Sequence, residues 1–373
     1  MAKNTEKKSD FRTPYHQTPP WFVDKLEQSH PKYQSLLAVC SLLQQEFPTF
    51  QRMFVLNDRK LVFEYKNPKP MQDLRTRILQ LFVRHTLSYT PYLKYSLLDW
   101  QNGLKNIRSV TKSIVSALIG IALDQGILSS ISQELHEFLP ELINTPKAKI
   151  TIYHMLTNTS GLQAIDHFSA MKTFLKSDDW TNHIVNLPLI QKPGEGFLYS
   201  SANFHLLTTI LAKSLSINVE SFAVKYLFAP LGINTFFWEK SADDIPFGGS
   251  NLFLHPEDML RIGLLFLQKG SWQSKQLISK KWIDTSTKAR IQVDEQERYG
   301  MGWWIMGAEQ PSSGNYFDYF AACGVGGQRI FVIPKTKVVI AIICRTSLYA
   351  NSRILDNIIA QYALDAFVEN RRP

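Results

Sequence analysis

The sequence predicts an α+β protein in which an antiparallel sheet flanked by helices meets a mainly helical region. Residues 109–125 form an apolar segment with almost no polar face, which is typical of a buried central helix. Residues 131–296 mix helical stretches with loops rich in Gly, Pro and Asn. Four short runs with β character follow, and a helical segment comes after them.

The predicted strands lie on both sides of the helical region. Residues 52–56 and 61–65 are strand-like, and the four residues between them favour a turn, so this segment predicts a β-hairpin. The later runs are separated by short polar segments, which predicts a meander of strands. These runs span residues 299–306, 316–322, 328–333 and 338–344.

The helices are predicted from apolar segments of ten or more residues. The central one ends before Gly126, a residue that suits the left-handed conformation at a helix end. Further helices are predicted at 203–215, 257–268 and 354–368.

These elements divide the chain into three parts. Residues 1–30 are polar and contain several prolines, which predicts an irregular N-terminal arm. Residues 31–130 together with 297–373 are expected to form the sheet region, and residues 131–296 the mainly helical region.

Composition and charge argue against several classes of function. The formal net charge is +9, but the basic residues are scattered among acidic ones without a basic run, which argues against nucleic-acid binding. No segment approaches the about 20 apolar residues of a membrane helix, and no apolar leader follows the N-terminal charges. The three cysteines and nine histidines contain neither a Cys-x-x-Cys nor a His-x-x-x-His pair. We therefore expect a cytoplasmic protein without metal, organic cofactor, nucleic-acid or membrane partner.

Ser109 and Lys112 form the first pattern with chemical meaning. They lie three residues apart at the start of the predicted central helix, so both side chains share one helix face. A serine hydroxyl becomes a strong nucleophile when a neighbouring group takes its proton, and a buried lysine with a lowered pKa can do so. The pattern alone is weak, because a serine at a helix start is more often a cap.

Three further motifs follow in order. After the Ser-x-x-Lys segment at residues 107–113, the second segment, residues 150–162, ends in Ser-Gly-Leu. The next, residues 193–203, contains Pro-Gly and then Tyr-x-Ser. The last, residues 323–328, reads Cys-Gly-Val-Gly-Gly-Gln. In this order they resemble the serine β-lactamase and penicillin-binding-protein superfamily, and class C β-lactamases in particular, over roughly 100–345. Four ordered motifs are far more specific than one.

The resemblance implies a serine β-lactamase-like fold with Ser109 between the sheet and the helical region. It also implies that the phenolic oxygen of Tyr199 lies near Ser109 and Lys112 and relays the proton to the leaving group. A phenolate requires a neighbouring positive charge, which Lys112 would provide. The backbone N–H groups of Ser109 and Val325 are expected to form the oxyanion hole, with Gly326 as the alternative donor.

Two positions depart from the family's motifs. Ser201 stands where Tyr-x-Asn has asparagine, and Ala322 stands where Lys-Thr-Gly has its cation. We interpret Asn203 as a helix cap, with partial replacement of the missing amide as the alternative. Loss of the cation predicts weak turnover of β-lactams, and the simplified set resembles the branch of 6-aminohexanoate-dimer hydrolases and carboxylesterases.

The resemblance places the substrate beside the second and third motifs. Its contacts are predicted at Ser201, Asn203, Gly324 and Gly326, and residues 163–180 are expected to border it.

Other notable residues are interpreted as structural. Trp303 and Trp304 alternate on a predicted strand, so one could face the core and the other the cleft. Of the two arrangements we favour core packing for both. Cys323 adjoins the third motif and is interpreted as a small packing residue rather than a nucleophile.

We therefore predict a serine hydrolase in which a small ester or amide acylates Ser109 and water then releases the acyl group. The alternative is a catalytically weak or silent relative that binds peptides or has a structural role, because the second and third motifs are incomplete. A penicillin-binding D-peptidase fits less well, since the sequence shows neither an export signal nor a membrane anchor. The oligomeric state stays open.

Overall fold

The computed structural model describes residues 22–69, 103–295, 297–309, 316–345 and 352–360. Most of the predicted N-terminal arm and the end of the predicted C-terminal helix lie outside these ranges. Within them, no helix has both the length and the apolar character required to cross a membrane.

The strands of this part of the chain form one large sheet and two small ones. In chain order they are β1 (Phe22–Val23), β2 (Phe50–Asn57), β3 (Lys60–Lys66), β4 (Lys105–Asn106), β5 (Phe237–Trp238), β6 (Leu252–Leu254), β7 (Ser271–Trp272), β8 (Lys275–Gln276), β9 (Ile291–Gln292), β10 (Arg298–Tyr299), β11 (Trp304–Glu309), β12 (Tyr316–Gly324), β13 (Gln328–Ile333) and β14 (Val338–Cys344). The large sheet has nine strands among the described residues, in the order β1-β3-β2-β14-β13-β12-β11-β10-β9. Its pairs are antiparallel as predicted, except that β1 runs parallel to β3.

The α-helices of the described chain are numbered separately from the short 3₁₀ turns. They are α1 (Pro31–Glu46), α2 (Thr111–Asp124), α3 (Ile152–Leu156), α4 (Phe168–Leu175), α5 (Trp180–Val185), α6 (Ser201–Ser214), α7 (Val219–Ala223), α8 (Ala229–Leu231), α9 (Pro256–Leu267), α10 (Lys280–Ser286) and α11 (Ser352–Ile358). A π-helical turn, Val224–Phe228, joins α7 to α8.

Helices cover both faces of the large sheet. Because side chains alternate across a strand, Val55 and Ile340 pack on the face that holds α1 and α11, in a cluster with Leu36 and Leu355. Their neighbours, such as Val339, pack on the opposite face with residues of α2 and α9. Burial on both faces explains why β14 is apolar throughout and why β13 is apolar after Gln328 and Arg329.

The predicted hairpin is confirmed. Strands β2 and β3 pair antiparallel, and Asp58 and Arg59 join them with φ values of 46° and 68°. Two positive φ values in a two-residue loop match the right-handed twist of the flanking strands.

The prediction of one strand over residues 299–306 is wrong. The segment divides into β10 and β11, and residues 300–303 form a bend between them that contacts α2. Ser113 Oγ donates to the Gly302 carbonyl at 2.6 Å, and Ser116 Oγ donates to the Met301 carbonyl at 2.6 Å. These bonds from α2 hold the bend against the central helix.

Three further predictions are corrected, two at the start of a helix and one in the N-terminal arm. The central helix α2 begins at Thr111, after a 3₁₀ turn at Arg108–Val110, and ends as predicted before Gly126, which has a φ of +69°. Helix α6 is capped by Ser200, whose side chain accepts from the Ala202 N–H, so the prediction of Asn203 as the cap is wrong. The arm prediction is also wrong in part, because its residues 22–23 form β1.

Candidate active site

Ser109 lies in the 3₁₀ turn that leads into α2, and its side chain is partly exposed. The preceding Arg108 has a φ of +55°, which is unusual for a residue with a side chain. Asn106 stabilises this conformation, since its Oδ1 accepts from the Arg108 N–H at 2.8 Å. The backbone that presents Ser109 is thus held by a side chain of β4.

A buried polar chain extends from Asn106 away from Ser109. Asn106 Nδ2 donates to Asn251 Oδ1 at 2.9 Å, and Asn251 Nδ2 donates to Glu239 Oε2 at 2.6 Å. Burial raises the pKa of Glu239 from 4.5 to about 7, although Asn251 and Arg108 act to lower it. A carboxyl group that titrates near neutrality therefore ends the chain that supports the Ser109 backbone.

Glu239 is expected to make the stability of the protein depend on pH. Because its pKa is higher in the folded state than in the unfolded state, the folded state binds the proton more tightly, and stability falls as pH rises from about 4.5 through about 7. A shift of this size corresponds to about 3 kcal/mol. Urea denaturation at pH values below and above this window, on wild type and Glu239→Gln, measures the difference. Parallel changes in both proteins would contradict the assignment.

Lys112 is buried beside Ser109. Its Nζ donates to Ser109 Oγ at 3.1 Å, to Ser201 Oγ at 2.8 Å and to the Gly249 carbonyl at 2.8 Å. Burial lowers the pKa of Lys112 from 10.5 to about 8, while the charge of Asp166 acts in the opposite direction. A neutral amine next to the serine is therefore accessible at mildly alkaline pH.

Tyr199 lies next to the same pair. Its side chain is hydrogen-bonded to that of Ser109, and Lys112 Nζ lies 4.7 Å from the centre of its ring. Burial, and then the negative charge of Asp166, raise the pKa of Tyr199 above its ordinary value of 10.0. The phenol therefore holds its proton in the resting protein, and of the two groups Lys112 loses its proton more easily.

Aromatic side chains surround Tyr199. Trp304 stacks on it with ring centres 5.8 Å apart, and Tyr299 meets Tyr199 edge-on at 6.3 Å. Trp303 is fully buried, as predicted, but Trp304 is only partly buried. Trp304, where β11 begins, packs against the core cluster of β2, β13 and β14 and also contacts Tyr199, so the prediction that both tryptophans pack in the core holds fully for Trp303 and in part for Trp304.

The third motif lies against the Ser109 segment. Strand β12 ends at Gly324, where a Cβ atom would stand 2.6 Å from the Ile107 carbonyl oxygen. Val325, half exposed, follows in the turn, and Gly326 is buried there with a φ of +83°. Strand β12 and the 3₁₀ turn of Ser109 therefore lie side by side, as an oxyanion hole of the Ser109 and Val325 N–H groups requires. The oxyanion hole itself stays a prediction.

Arg329, on the neighbouring strand β13, contacts the start of this turn. Its guanidinium is buried and donates to both carboxylate oxygens of Asp356, at 2.7 and 2.9 Å. It also donates to the Gly324 carbonyl at 2.8 Å. Burial raises the pKa of the adjacent Cys323 thiol, which agrees with a packing role for that residue.

The two polar residues of the second motif differ in their surroundings. Ser201 contacts Lys112 directly, as described above. Asn203 is buried two residues further along α6, where its Oδ1 accepts from Ser160 Oγ at 2.6 Å and its Nδ2 donates to Asn158 Oδ1 at 3.1 Å. Both ends of the Asn203 amide are thus engaged by protein groups, and its predicted contact with substrate stays a prediction.

The sequence reasoning missed Asp166. This exposed residue lies in the segment expected to border the substrate, and its carboxylate accepts from Ser201 Oγ at 2.5 Å and from the Ser201 N–H at 2.7 Å. The only sign of it in the sequence was an aspartate four residues after the Ser-Gly-Leu motif. A single aspartate in a loop is common on protein surfaces and does not by itself indicate a functional residue.

The arrangement is one that suits nucleophilic catalysis by serine. Comparisons with known proteins identify the family of the chain. The family model described as Beta-lactamase matches residues 101–364. The chain therefore belongs to the β-lactamase family. Its sequence is also similar to that of Penicillin-binding protein 4* of Bacillus subtilis (strain 168), with 26% identity over 144 residues, which are 36% of this chain and 30% of that protein. The match thus spans less than a third of that relative's length.

Solved structures show the same fold. A Bacillus anthracis protein proposed to be a 6-aminohexanoate-dimer hydrolase has a TM-score of 0.69 at 15% identity, covering 91% of this chain and 85% of its own. EstCE1, a hydrolase with promiscuous acyltransferase activity, has a TM-score of 0.67 at 13% identity, with 90% and 98% covered. A class C β-lactamase has a TM-score of 0.64 at 16% identity, with 92% and 99% covered. The predicted β-lactamase-like fold is confirmed.

Proposed function

We propose that this protein is a serine hydrolase that forms an acyl-enzyme on Ser109 with small esters or amides. The observation that carries the proposal is the position of Lys112 Nζ, 3.1 Å from Ser109 Oγ, in surroundings that lower the pKa of the lysine to about 8. A hydroxyl paired with a partly deprotonated amine is an activated nucleophile.

Acylation proceeds in one addition and one elimination. Neutral Lys112 takes the Ser109 proton while Oγ bonds to the substrate's carbonyl carbon, and the N–H groups of Ser109 and Val325 stabilise the oxyanion. The bond from that carbon to the leaving group then breaks, and the proton passes through Tyr199 to the leaving group. Water then adds to the acyl carbon and gives a proton to Lys112. The bond from that carbon to Ser109 Oγ breaks, the proton passes to Oγ, and the acid is released.

The site favours substrates whose binding does not depend on a negatively charged group. Ala322, which stands where the family's third motif has its cation, is fully buried and packs in the apolar core. Arg329 does not replace that cation, because Asp356 and Gly324 already engage its guanidinium. A β-lactam carboxylate therefore lacks the contact that would position it, and lost positioning lowers the rate as well as the affinity.

A fluorophosphonate probe tests the proposal directly. Because the probe reacts with activated serines, one equivalent is expected to add to the intact protein and to be found on the peptide that contains Ser109. The same sample is then assayed with short-chain nitrophenyl esters, linear amides and nitrocefin. We expect the esters to be hydrolysed with a much higher kcat/KM than nitrocefin.

Ser109→Ala is the control for both measurements. It should neither take up the probe nor hydrolyse the esters, while its far-UV circular dichroism matches that of the wild type. Labelling at another serine, or ester hydrolysis by the variant, would overturn the assignment. A wild-type protein that takes up no probe and hydrolyses nothing would instead support the catalytically silent alternative.

A further inference from the structure

Asp166 determines which hydrogen-bonding role Ser201 has. A carboxylate accepts hydrogen bonds and does not donate them, so the single hydroxyl proton of Ser201 points to Asp166, at 2.5 Å. The remaining electron pairs of Ser201 Oγ face Lys112, whose Nζ is 2.8 Å away. Lys112 must therefore donate to Ser201, and cannot accept from it.

The other contacts of Lys112 determine where its second N–H group and its lone pair point. The Gly249 carbonyl, 2.8 Å from Nζ, is also an acceptor only, so a second N–H of Lys112 points there. The third direction faces Ser109 Oγ at 3.1 Å. A neutral lysine has two N–H groups and one lone pair. With both N–H groups engaged, the lone pair faces the Ser109 hydroxyl.

We infer that Asp166 is a positioning residue, which acts through the Ser201 hydroxyl to direct the lone pair of neutral Lys112 at Ser109. The inference rests on the proposed function and names a residue that its mechanism does not otherwise use. Without the carboxylate, the Ser201 hydroxyl can rotate and donate to Lys112. The lone pair is then occupied by Ser201, and an N–H of Lys112 points at Ser109, which is an unproductive arrangement.

Asp166 also has a structural role that the test must separate. Its second oxygen accepts from the Ser201 N–H at 2.7 Å, in the first turn of α6, where a negative charge is favoured by the helix dipole. Asp166→Asn suits this purpose, because the amide oxygen can still accept from the backbone N–H. The amide nitrogen then faces Ser201 Oγ as a donor and reverses the contact there.

Asp166→Asn is expected to lower kcat for ester hydrolysis at least about tenfold, with KM little changed. This is part of the rate enhancement that general acid–base catalysis provides. The pH profile should move as well. The groups facing Lys112 are Ser109, Ser201, the Gly249 carbonyl and the rings of Tyr199 and Phe204, while the charge of Asp166 raises its pKa. Loss of that charge lowers the pKa of Lys112, so the acidic limb of kcat/KM moves to lower pH.

A double-mutant cycle with Ser201→Ala distinguishes the positioning role from independent effects. Ser201→Ala alone should lower kcat, and Asp166→Asn should cost little more in that background, because its route to Lys112 is already gone. Asp166→Glu, which restores the charge and both acceptor oxygens, should return the acidic limb towards the wild-type position.

Three outcomes would overturn the inference while leaving the proposed function intact, provided that Ser109→Ala is inactive. These are wild-type kcat and pH profile in Asp166→Asn, wild-type kcat in Ser201→Ala, and full additivity of the two substitutions. If Asp166→Asn fails to fold, as judged by circular dichroism, the kcat of Ser201→Ala still decides. Ester hydrolysis by Ser109→Ala would instead overturn the proposed function itself.

Discussion

Replacing Lys112 with arginine is expected to lower kcat/KM for a short-chain nitrophenyl ester by about 10³-fold, within the range that general acid–base catalysis supplies. Arginine keeps the positive charge, but its guanidinium does not lose a proton in proteins, so it cannot accept the proton of Ser109. The same argument predicts the wild-type pH profile. Because the pKa of Lys112 is lowered to about 8, kcat/KM should rise with pH through about 8 and then level off.

Initial rates from about pH 6 to about pH 10 measure both effects. Lys213→Arg is the matched control, because Lys213 is exposed in the last turn of α6 and the same substitution there should leave the profile unchanged. If Lys112→Arg kept more than about a tenth of the wild-type kcat/KM, Lys112 would not be the base.

Removing the guanidinium of Arg329 is expected to lower the free energy of unfolding by about 3–5 kcal/mol. Arg329→Met leaves the Asp356 carboxylate, whose side chain is only 14% exposed, without its cation. It also releases the Gly324 carbonyl, which Arg329 holds at 2.8 Å, so the turn that carries Val325 loses its support. We therefore expect lower kcat/KM together with the lower stability, and urea denaturation measures the latter.

The double variant Arg329→Met/Asp356→Leu separates the buried charge from the loss of packing. Replacing both members of a buried ion pair with apolar residues is often tolerated, so most of the lost stability should return. The kcat/KM should stay low, because the Gly324 carbonyl is still unsupported. A loss below about 1 kcal/mol in Arg329→Met would mean that the pair contributes as little as an exposed one.

The sequence predicted the elements whose signal is local. Strands β13 and β14 begin and end at the predicted residues. Strand β14 is a continuous apolar run bounded by polar residues, and β13 has four apolar residues between Arg329 and a proline. Helix α1 was missed although its signal was present. Pro31 stands at its first position, and its buried side chains, Leu36, Val39, Cys40 and Leu43, recur at helical spacing.

The same distinction applies to the site. Ser109 and Lys112 could be paired from sequence because one helical turn separates them. Asp166 and Ser201 could not, since they are 35 positions apart in the sequence and only the tertiary fold brings the carboxylate to the hydroxyl. The sequence likewise could not show which of Trp303 and Trp304 contacts Tyr199, because this depends on where β11 begins.

Two glycines close to Ser109 and Lys112 leave no room for a side chain, and this limits how laboratory evolution can change the protein. A Cβ atom at Gly249 would stand 2.4 Å from Ser201 Cβ, and one at Gly324 would stand 2.6 Å from the Ile107 carbonyl oxygen. Libraries that randomise these positions should yield mostly inactive variants. Val325 is half exposed and Trp304 is partly exposed, so new acyl-group preferences should be selected at these two positions, where side chains can change without displacing the backbone.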